Sequence, residues 1–206
     1  MNIKATDLGK RFNRTWIFRH LDYQFASGVF YAITGPNGSG KSTFLQILSG
    51  SRTHNEGSLK YFNSSGELNS DNIFHDVSFA APYMELVEEM TLMEFLHFHH
   101  QMKGVLSNIS IPEIISEIGL QHATNQEIRY FSSGMKQRVK LAQAIFSNSK
   151  LLLLDEPLTN LDNEGYSLYL TMINKYCSDR IVVISSNDKN EYAFCNEVID
   201  INLFKK

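Results

Sequence analysis

Residues 35–43 read GPNGSGKST, the most informative stretch of the chain. It matches the pattern G-x-x-x-x-G-K-[ST], in which glycines let several backbone N–H groups surround one anion. Lys41 is placed to reach the β- and γ-phosphates of a nucleoside triphosphate, and Ser42 to bind Mg²⁺. An apolar run at 29–34 precedes the loop and a helical pattern starts at Thr43, so we predict a buried strand, a phosphate loop and a helix N-terminus. The loop alone does not separate a kinase from a GTPase or a motor.

The composition limits the classes of protein that the chain can belong to. Its 206 residues are 43% hydrophobic and 20% charged, which is ordinary for a globular protein, and a net charge of −3 gives no reason to expect nucleic-acid binding. Cys177 and Cys195 form no CxxC pair, so we expect neither a disulfide framework nor a zinc site, as in a reducing cytosol. We also expect no signal peptide and no membrane span, because no long apolar run occurs.

Apolar patterning predicts an α/β core interrupted by helices. The predicted strands cover residues 3–8, 17–25, 29–34, 57–62, 77–80, 151–154, 181–184 and 198–203. A polar loop is predicted at 63–70, and from Pro82 onward the pattern becomes helical at 85–102 and 112–118, with no strand before Phe131.

A second motif, LLLLDEP, occupies residues 151–157. Four apolar residues place Asp155 at the carboxyl end of a strand, where ligands bind in open α/β sheets, and an aspartate there can hold Mg²⁺. Glu156 points differently from its neighbour and is our candidate general base for an attacking water. The alternative is an acidic strand end followed by a proline turn.

A third motif, FSSGMKQR, occupies residues 131–138 and continues as an amphipathic helix. Ser132 is a good N-cap, and Gly134 leaves the backbone open. A serine hydroxyl beside a bare helix N-terminus is typical of a second anion site. The alternative is a capped helix with no ligand.

In this order and spacing the three motifs resemble those of an ABC-type ATPase domain, and the resemblance covers essentially the whole chain. Residues 158–162, LTNLD, resemble the D-loop of that family. The resemblance implies an α/β P-loop NTPase core with N-terminal antiparallel strands and an inserted helical subdomain. The implied division is a core of 1–81 and 145–206 and a helical subdomain of 82–144. The helical subdomain carries the third motif, which resembles the signature motif of the family.

The resemblance also implies the cofactors, ATP and Mg²⁺, and the residues that hold them. Phe12 matches the aromatic residue that stacks on adenine, although a core phenylalanine is an equal alternative, and Trp16 is a weaker candidate. Ser42 and Asp155 are the implied Mg²⁺ ligands, and Glu156, Asn187 and Asp162 are assigned to catalysis. The residues implied to contact the nucleotide are Phe12, Gly35, Asn37, Gly38, Ser39, Gly40, Lys41, Ser42, Thr43, Ser132 and Gly134.

The chain departs from the family pattern at several positions. Pro82 stands where a glutamine near Mg²⁺ is usual, and Asn187 stands where a histidine contacts the γ-phosphate. Asn187 can still donate through its amide but cannot carry a charge; the alternative is that it caps a helix at 188–194. In the signature, Ser133 replaces glycine and Met135 replaces glutamine. We therefore expect ATP binding with slowed hydrolysis rather than an inactive domain.

The helix at 85–102 raises two further hypotheses. His97 and His100 lie three residues apart and could ligate zinc, but we favour a solvated or partner-facing surface because no third ligand is indicated. Leu92, Phe95, Leu96 and Phe98 on the same helix are candidates for a surface that docks a membrane partner.

The resemblance implies the ATPase subunit of an ABC transporter, bound at the cytoplasmic face of the membrane to a separate integral permease. Such subunits work as head-to-tail dimers, with an identical or a related copy, in which Ser132 and Gly134 of one cover ATP on the other. The short stretch after residue 203 leads us to expect no regulatory C-terminal domain, which favours an exporter. One alternative is a soluble ABC protein without a transport role, and another is an ATP-binding subunit that hydrolyses slowly and acts mainly as a dimerisation switch. A third is a P-loop kinase, though a kinase would not explain FSSGMKQR.

Overall fold

The computed structural model describes residues 1–205, whose strands form two sheets and whose helices lie around them. The strands are β1 (Asn2–Phe12), β2 (Thr15–Ala26), β3 (Phe30–Thr34), β4 (Glu56–Asn63), β5 (Gly66–Leu68), β6 (Val77–Ala80), β7 (Leu151–Asp155), β8 (Ile181–Ser185) and β9 (Glu197–Asp200). The helices are α1 (Lys41–Leu48), α2 (Leu92–Lys103), α3 (Ile111–Glu117), α4 (Ser133–Ile145), α5 (Asn163–Tyr176) and α6 (Lys189–Tyr192). Strands β2, β1, β4 and β5 pair in that order as an antiparallel sheet. The expected α/β class with N-terminal antiparallel strands is confirmed.

The second sheet is five-stranded and parallel, in the order β6-β7-β8-β3-β9. Ser185 at the end of β8 is in register with Asp155 of β7 on one side and with Ile33 of β3 on the other. The carboxyl ends of these three strands therefore meet at one edge of the sheet. The phosphate loop, the acidic pair and Asn187 each follow one of these strands, so the sheet topology gathers them.

The strands of the parallel sheet are apolar throughout because both faces of the sheet are covered. Leu151 and Leu153 pack with Phe44 of α1 and the antiparallel sheet. Leu152 and Leu154 face the other way, into the cluster that holds α2, α4 and α5. Alternation along β7 thus places the two hydrophobic clusters on opposite sides of the strand that carries Asp155.

Several predicted boundaries are wrong. The helix expected at 85–102 begins only at Leu92, because Thr91 and Glu94 form a capping box that starts it. The final strand ends at Asp200, whose side chain caps a short 3-10 turn at Ile201–Phe204. The polar loop at 63–70 contains β5, which pairs with β4.

The division into a core of 1–81 and 145–206 and a helical part of 82–144 stays a prediction. Within residues 1–205, no helix combines the length and the apolar character that crossing a bilayer requires.

Candidate nucleotide-binding and hydrolysis site

The phosphate loop wraps tightly around the start of α1. Gly40 has a φ of 104°, and a Cβ atom there would lie 2.2 Å from Cγ2 of Ile17, so only glycine fits. Lys41 is buried, and its Nζ donates to the carbonyls of Gly35 at 2.8 Å and Pro36 at 3.4 Å. Burial lowers the pKa of Lys41, and the nearby carboxylates of Glu156 and Asp155 oppose this shift. The loop thus holds one buried cation within a glycine-rich turn of backbone, which suits a polyphosphate.

One polar atom in the loop lacks a protein partner. The hydroxyl of Ser39 is buried, and among residues 1–205 it makes no hydrogen bond. A buried hydroxyl without a partner is costly, so a ligand oxygen is a fitting acceptor for it. The hydroxyl oxygen of Ser42 and the carboxylate of Asp155 are hard donors of the kind that Mg²⁺ prefers.

The acidic pair at the end of β7 splits into two different environments. The carboxylate of Asp155 is buried and accepts a hydrogen bond from the hydroxyl of Ser185. Glu156 takes a left-handed conformation, with a φ of 44°, that non-glycine residues rarely adopt, and its N–H donates to the carbonyl of Ser185 at 2.9 Å. This turn directs Glu156 into a cavity of about 360 Å³ that the phosphate loop also lines. Strain at such a position fits a role in function.

Asn187 is attached to the phosphate loop. Its Oδ1 accepts from Lys41 Nζ at 3.3 Å, and its Nδ2 donates to Asn37 Oδ1 at 2.7 Å. The alternative that Asn187 caps a helix at 188–194 is wrong, because Asp188 caps α6 through the N–H of Asn190. The side chain therefore contacts two residues that line the cavity at the phosphate loop, and its contact to a terminal phosphate stays a prediction.

Phe12 lines the same cavity and is 41% exposed, so the alternative of a core phenylalanine is wrong. The guanidinium of Arg52 lies 5.2 Å from its ring centroid and the ammonium of Lys10 lies 5.3 Å away. Trp16 contacts the guanidinium groups of Arg11 and Arg19 instead. Stacking of adenine on Phe12 stays a prediction.

The signature motif lies beside the D-loop. Ser132 caps α4 as expected, its hydroxyl accepting the N–H of Met135 at 3.2 Å. A Cβ atom on Gly134 would lie 3.0 Å from the carbonyl of Asn160, so the D-loop passes close to the glycine. Asp162 caps α5 through the N–H of Gly165 at 2.8 Å and pairs with Arg138. These segments line a polar cavity of about 620 Å³ whose lining includes Ser132, Gly134 and Asp162.

The structure corrects the hypotheses on the histidine-rich helix. His97 is exposed, but His100 is buried, so they do not share a solvated face. Within residues 1–205, no group of three or more His, Cys, Asp or Glu side chains is placed to hold a metal ion. Three of the expected docking residues, Leu92, Phe95 and Leu96, are core residues, whereas Phe98 is 44% exposed.

Two features of the site escape the sequence patterns. Glu191 is buried in α6, and its Oε1 accepts the N–H of Leu158 in the D-loop at 2.7 Å. Burial raises its pKa, and the carboxylates of Asp188 and Glu156 add to the shift. The second feature is a hydrogen bond between Gln46 of α1 and Tyr83, which follows Pro82. Neither Glu191 nor Tyr83 stands in a recognisable motif, so only the folded chain identifies them.

The fold and site define a P-loop nucleoside triphosphatase in which a segment carrying α2, α3 and α4 is inserted in the chain between the paired strands β6 and β7. The sequence model of the ABC transporter family matches residues 18–159. The chain therefore belongs to the ABC transporter family, and it is an ATP-binding, ATP-hydrolysing domain of that family.

Known proteins agree with this membership. The uncharacterized ABC transporter ATP-binding protein YybJ of Bacillus subtilis is 29% identical over 97% of this chain and 92% of its own. The cytochrome c biogenesis ATP-binding export protein CcmA of Reclinomonas americana is 31% identical over 92% of this chain and 86% of its own. The dimeric structure of MJ0796, a bacterial ABC transporter cassette, superposes with a TM-score of 0.80 at 22% identity, covering 97% of this chain and 94% of that one. This last likeness concerns the fold alone.

Proposed function

We propose that the chain is the ATPase subunit of an ABC exporter and acts, with Mg²⁺, as a head-to-tail dimer on a separate membrane permease. The observation that carries the proposal is that the two candidate anion-binding cavities are separate. The cavity at the phosphate loop and the cavity at the signature motif have no lining residue in common. A second copy that places its Ser132 and Gly134 over the first copy's phosphate loop would complete both sites. The structure of MJ0796 is that of a dimer, which supports this arrangement.

The proposal assigns a role to each site residue. Lys41 and the loop amides bind the phosphates, Ser42 and Asp155 hold Mg²⁺, which neutralises charge on the phosphates when bound, and Glu156 accepts a proton from the attacking water. Asn187 is assigned to the terminal phosphate, and Asp162 is assigned to the nucleotide site of the partner copy. Phe12 stacks on the base.

The dimer is tested by the size of the Glu156→Gln variant with ATP and Mg²⁺. Blocking proton abstraction should trap the ATP-bound dimer, because binding groups remain intact. Lys41→Ala in the same background is the matched control and should remain monomeric. A Glu156→Gln protein that stays monomeric at every concentration would rule out the ATP-driven sandwich.

A groove of about 350 Å³ is our candidate contact for the permease at the cytoplasmic face. Its lining includes Phe74, Phe79, Met84, His99 and Lys103, from the core and from α2. Phe74 is 52% exposed there, and an aromatic side chain of this kind suits a partner helix. The export direction is supported by the relative CcmA, which is named as an export protein.

Co-purification from native membranes tests this contact. Phe74→Asp should lose an integral membrane partner that the wild type retains, while Leu203→Asp, at a 73% exposed site elsewhere, should keep it. Both variants should hydrolyse ATP when isolated. If no integral membrane protein co-purifies with the wild type, the alternative of a soluble ABC protein without a transport role gains support.

A further inference from the structure

The segment from Pro82 to Glu88, between β6 and α2, is attached to helix α4. Lys140 Nζ donates to the carbonyl of Pro82 at 2.6 Å, and Lys136 Nζ pairs with Glu88 at 2.6 Å. Both lysines lie on the helix that Ser132 caps. The carbonyl of Pro82 belongs to the planar peptide bond that links it to Tyr83, so the carbonyl and the backbone nitrogen of the next residue move together.

The next residue, Tyr83, attaches the same segment to helix α1. Gln46 Nε2 donates to the phenol oxygen of Tyr83 at 3.2 Å, and Gln46 Oε1 accepts from Arg52 Nε at 2.7 Å. A guanidinium can only donate, so the amide oxygen must face Arg52 and the amide NH₂ must face the phenol. The guanidinium also lies against the ring of Phe12 in the nucleotide cavity. The orientation of Gln46 is thus set from the nucleotide side.

The phenol has the character of a donor. Tyr83 is 54% exposed, and the partial burial of its phenol raises the pKa further above neutral, so the hydroxyl keeps its proton. Because the phenol oxygen accepts from Gln46, its own hydrogen is left for a second hydrogen bond.

We propose that Tyr83 and Gln46 are positioning residues for ATP hydrolysis, which tie the phosphate-binding helix α1 through Pro82 to the signature helix α4. The amino end of α1 carries Lys41, and the amino end of α4 follows Ser132. Two consecutive residues bond both helices, so a shift of one helix against the other distorts these two hydrogen bonds. The tie thereby aligns the phosphate loop with the turn that covers a partner's nucleotide.

The test is a double-mutant cycle on steady-state ATPase activity with Tyr83→Phe, Gln46→Met and both together. Each single change should lower kcat roughly two- to twelvefold, the rate equivalent of one neutral hydrogen bond, with KM for ATP within about twofold. The double variant should be no slower than the slower single variant, because both changes break the same bond.

The matched control is Tyr23→Phe, which removes a phenol hydrogen bond to Glu197 away from the nucleotide cavity and should leave kcat unchanged. Melting temperatures are recorded for all variants. Single variants with wild-type kcat, multiplicative effects in the double variant, or losses of kcat that Tyr23→Phe reproduces would each overturn the proposal. The inference rests on nucleotide binding at the phosphate loop, which Lys41→Ala tests independently, so the two failures are distinguishable.

Discussion

Asn187→His should raise the rate of ATP hydrolysis about tenfold, with little change in ATP affinity. The amide donor of Asn187 is already bound to Asn37 Oδ1 at 2.7 Å, so it must give up that bond to reach a terminal phosphate. The loss of one neutral hydrogen bond costs about 0.5–1.5 kcal/mol, which corresponds to a factor of roughly 2–12 in rate. A longer imidazole with a second ring nitrogen can reach the phosphate without giving up a hydrogen bond to Asn37.

The variant should also gain a pH dependence. Protonated imidazole stabilises developing negative charge on the phosphate, so the rate should rise as the pH falls through the ordinary histidine pKa of about 6.5. Wild-type Asn187 has no titratable group, so its own rate should lack this step. Steady-state assays from about pH 5.5 to 8.5 measure both effects.

Two control variants separate charge from reach and position. Asn187→Gln extends the side chain but stays neutral, so it should show no new pH step. Asn190→His places the same imidazole three residues further along, on the exposed side of α6, and should behave as the wild type. A rate for Asn187→His at or below the wild type across the whole pH range would refute the contact to the terminal phosphate.

Four further variants test the site and the fold. Lys41→Ala should lose ATP affinity in a nucleotide titration, because its cation contacts phosphate in the ground state; unchanged affinity would contradict the binding role. Glu156→Gln should keep affinity and lose turnover, and a wild-type rate would contradict its assignment as the base. Burial raises the pKa of Glu191, so the wild type loses stability as the pH rises from about 4.5 through that raised value. The melting temperature of Glu191→Gln should therefore increase relative to that of the wild type as the pH rises. A difference in melting temperature that does not change with pH would contradict this. Arg180→Met should cost about 3 kcal/mol of unfolding free energy, roughly 6–12 °C in Tm, because the buried guanidinium donates to three backbone carbonyls; a shift under about 2 °C would contradict this.

The parts of the protein that depend on local chemistry could be predicted from its sequence. A phosphate loop needs glycines at fixed positions and one lysine, and strands buried on both faces need unbroken apolar runs, so β3, β7 and β8 were predictable within a residue or so. The cap at Ser132 is equally local, because its hydroxyl bonds a backbone N–H three residues on.

Contacts between side chains that are distant in sequence could not be predicted, because they depend on tertiary packing. The pairing of β8 with both β7 and β3 brings Asn187 to Lys41, although the two residues are 146 positions apart in sequence. Helix faces were misjudged for the same reason: His100 and Phe95 are buried because α2 packs on its neighbours, which its own pattern does not specify. The contact of Tyr83 with Gln46 likewise depends on how the segment after β6 lies across α1. Periodicity reports burial on one element, whereas contacts between elements depend on how those elements pack in three dimensions.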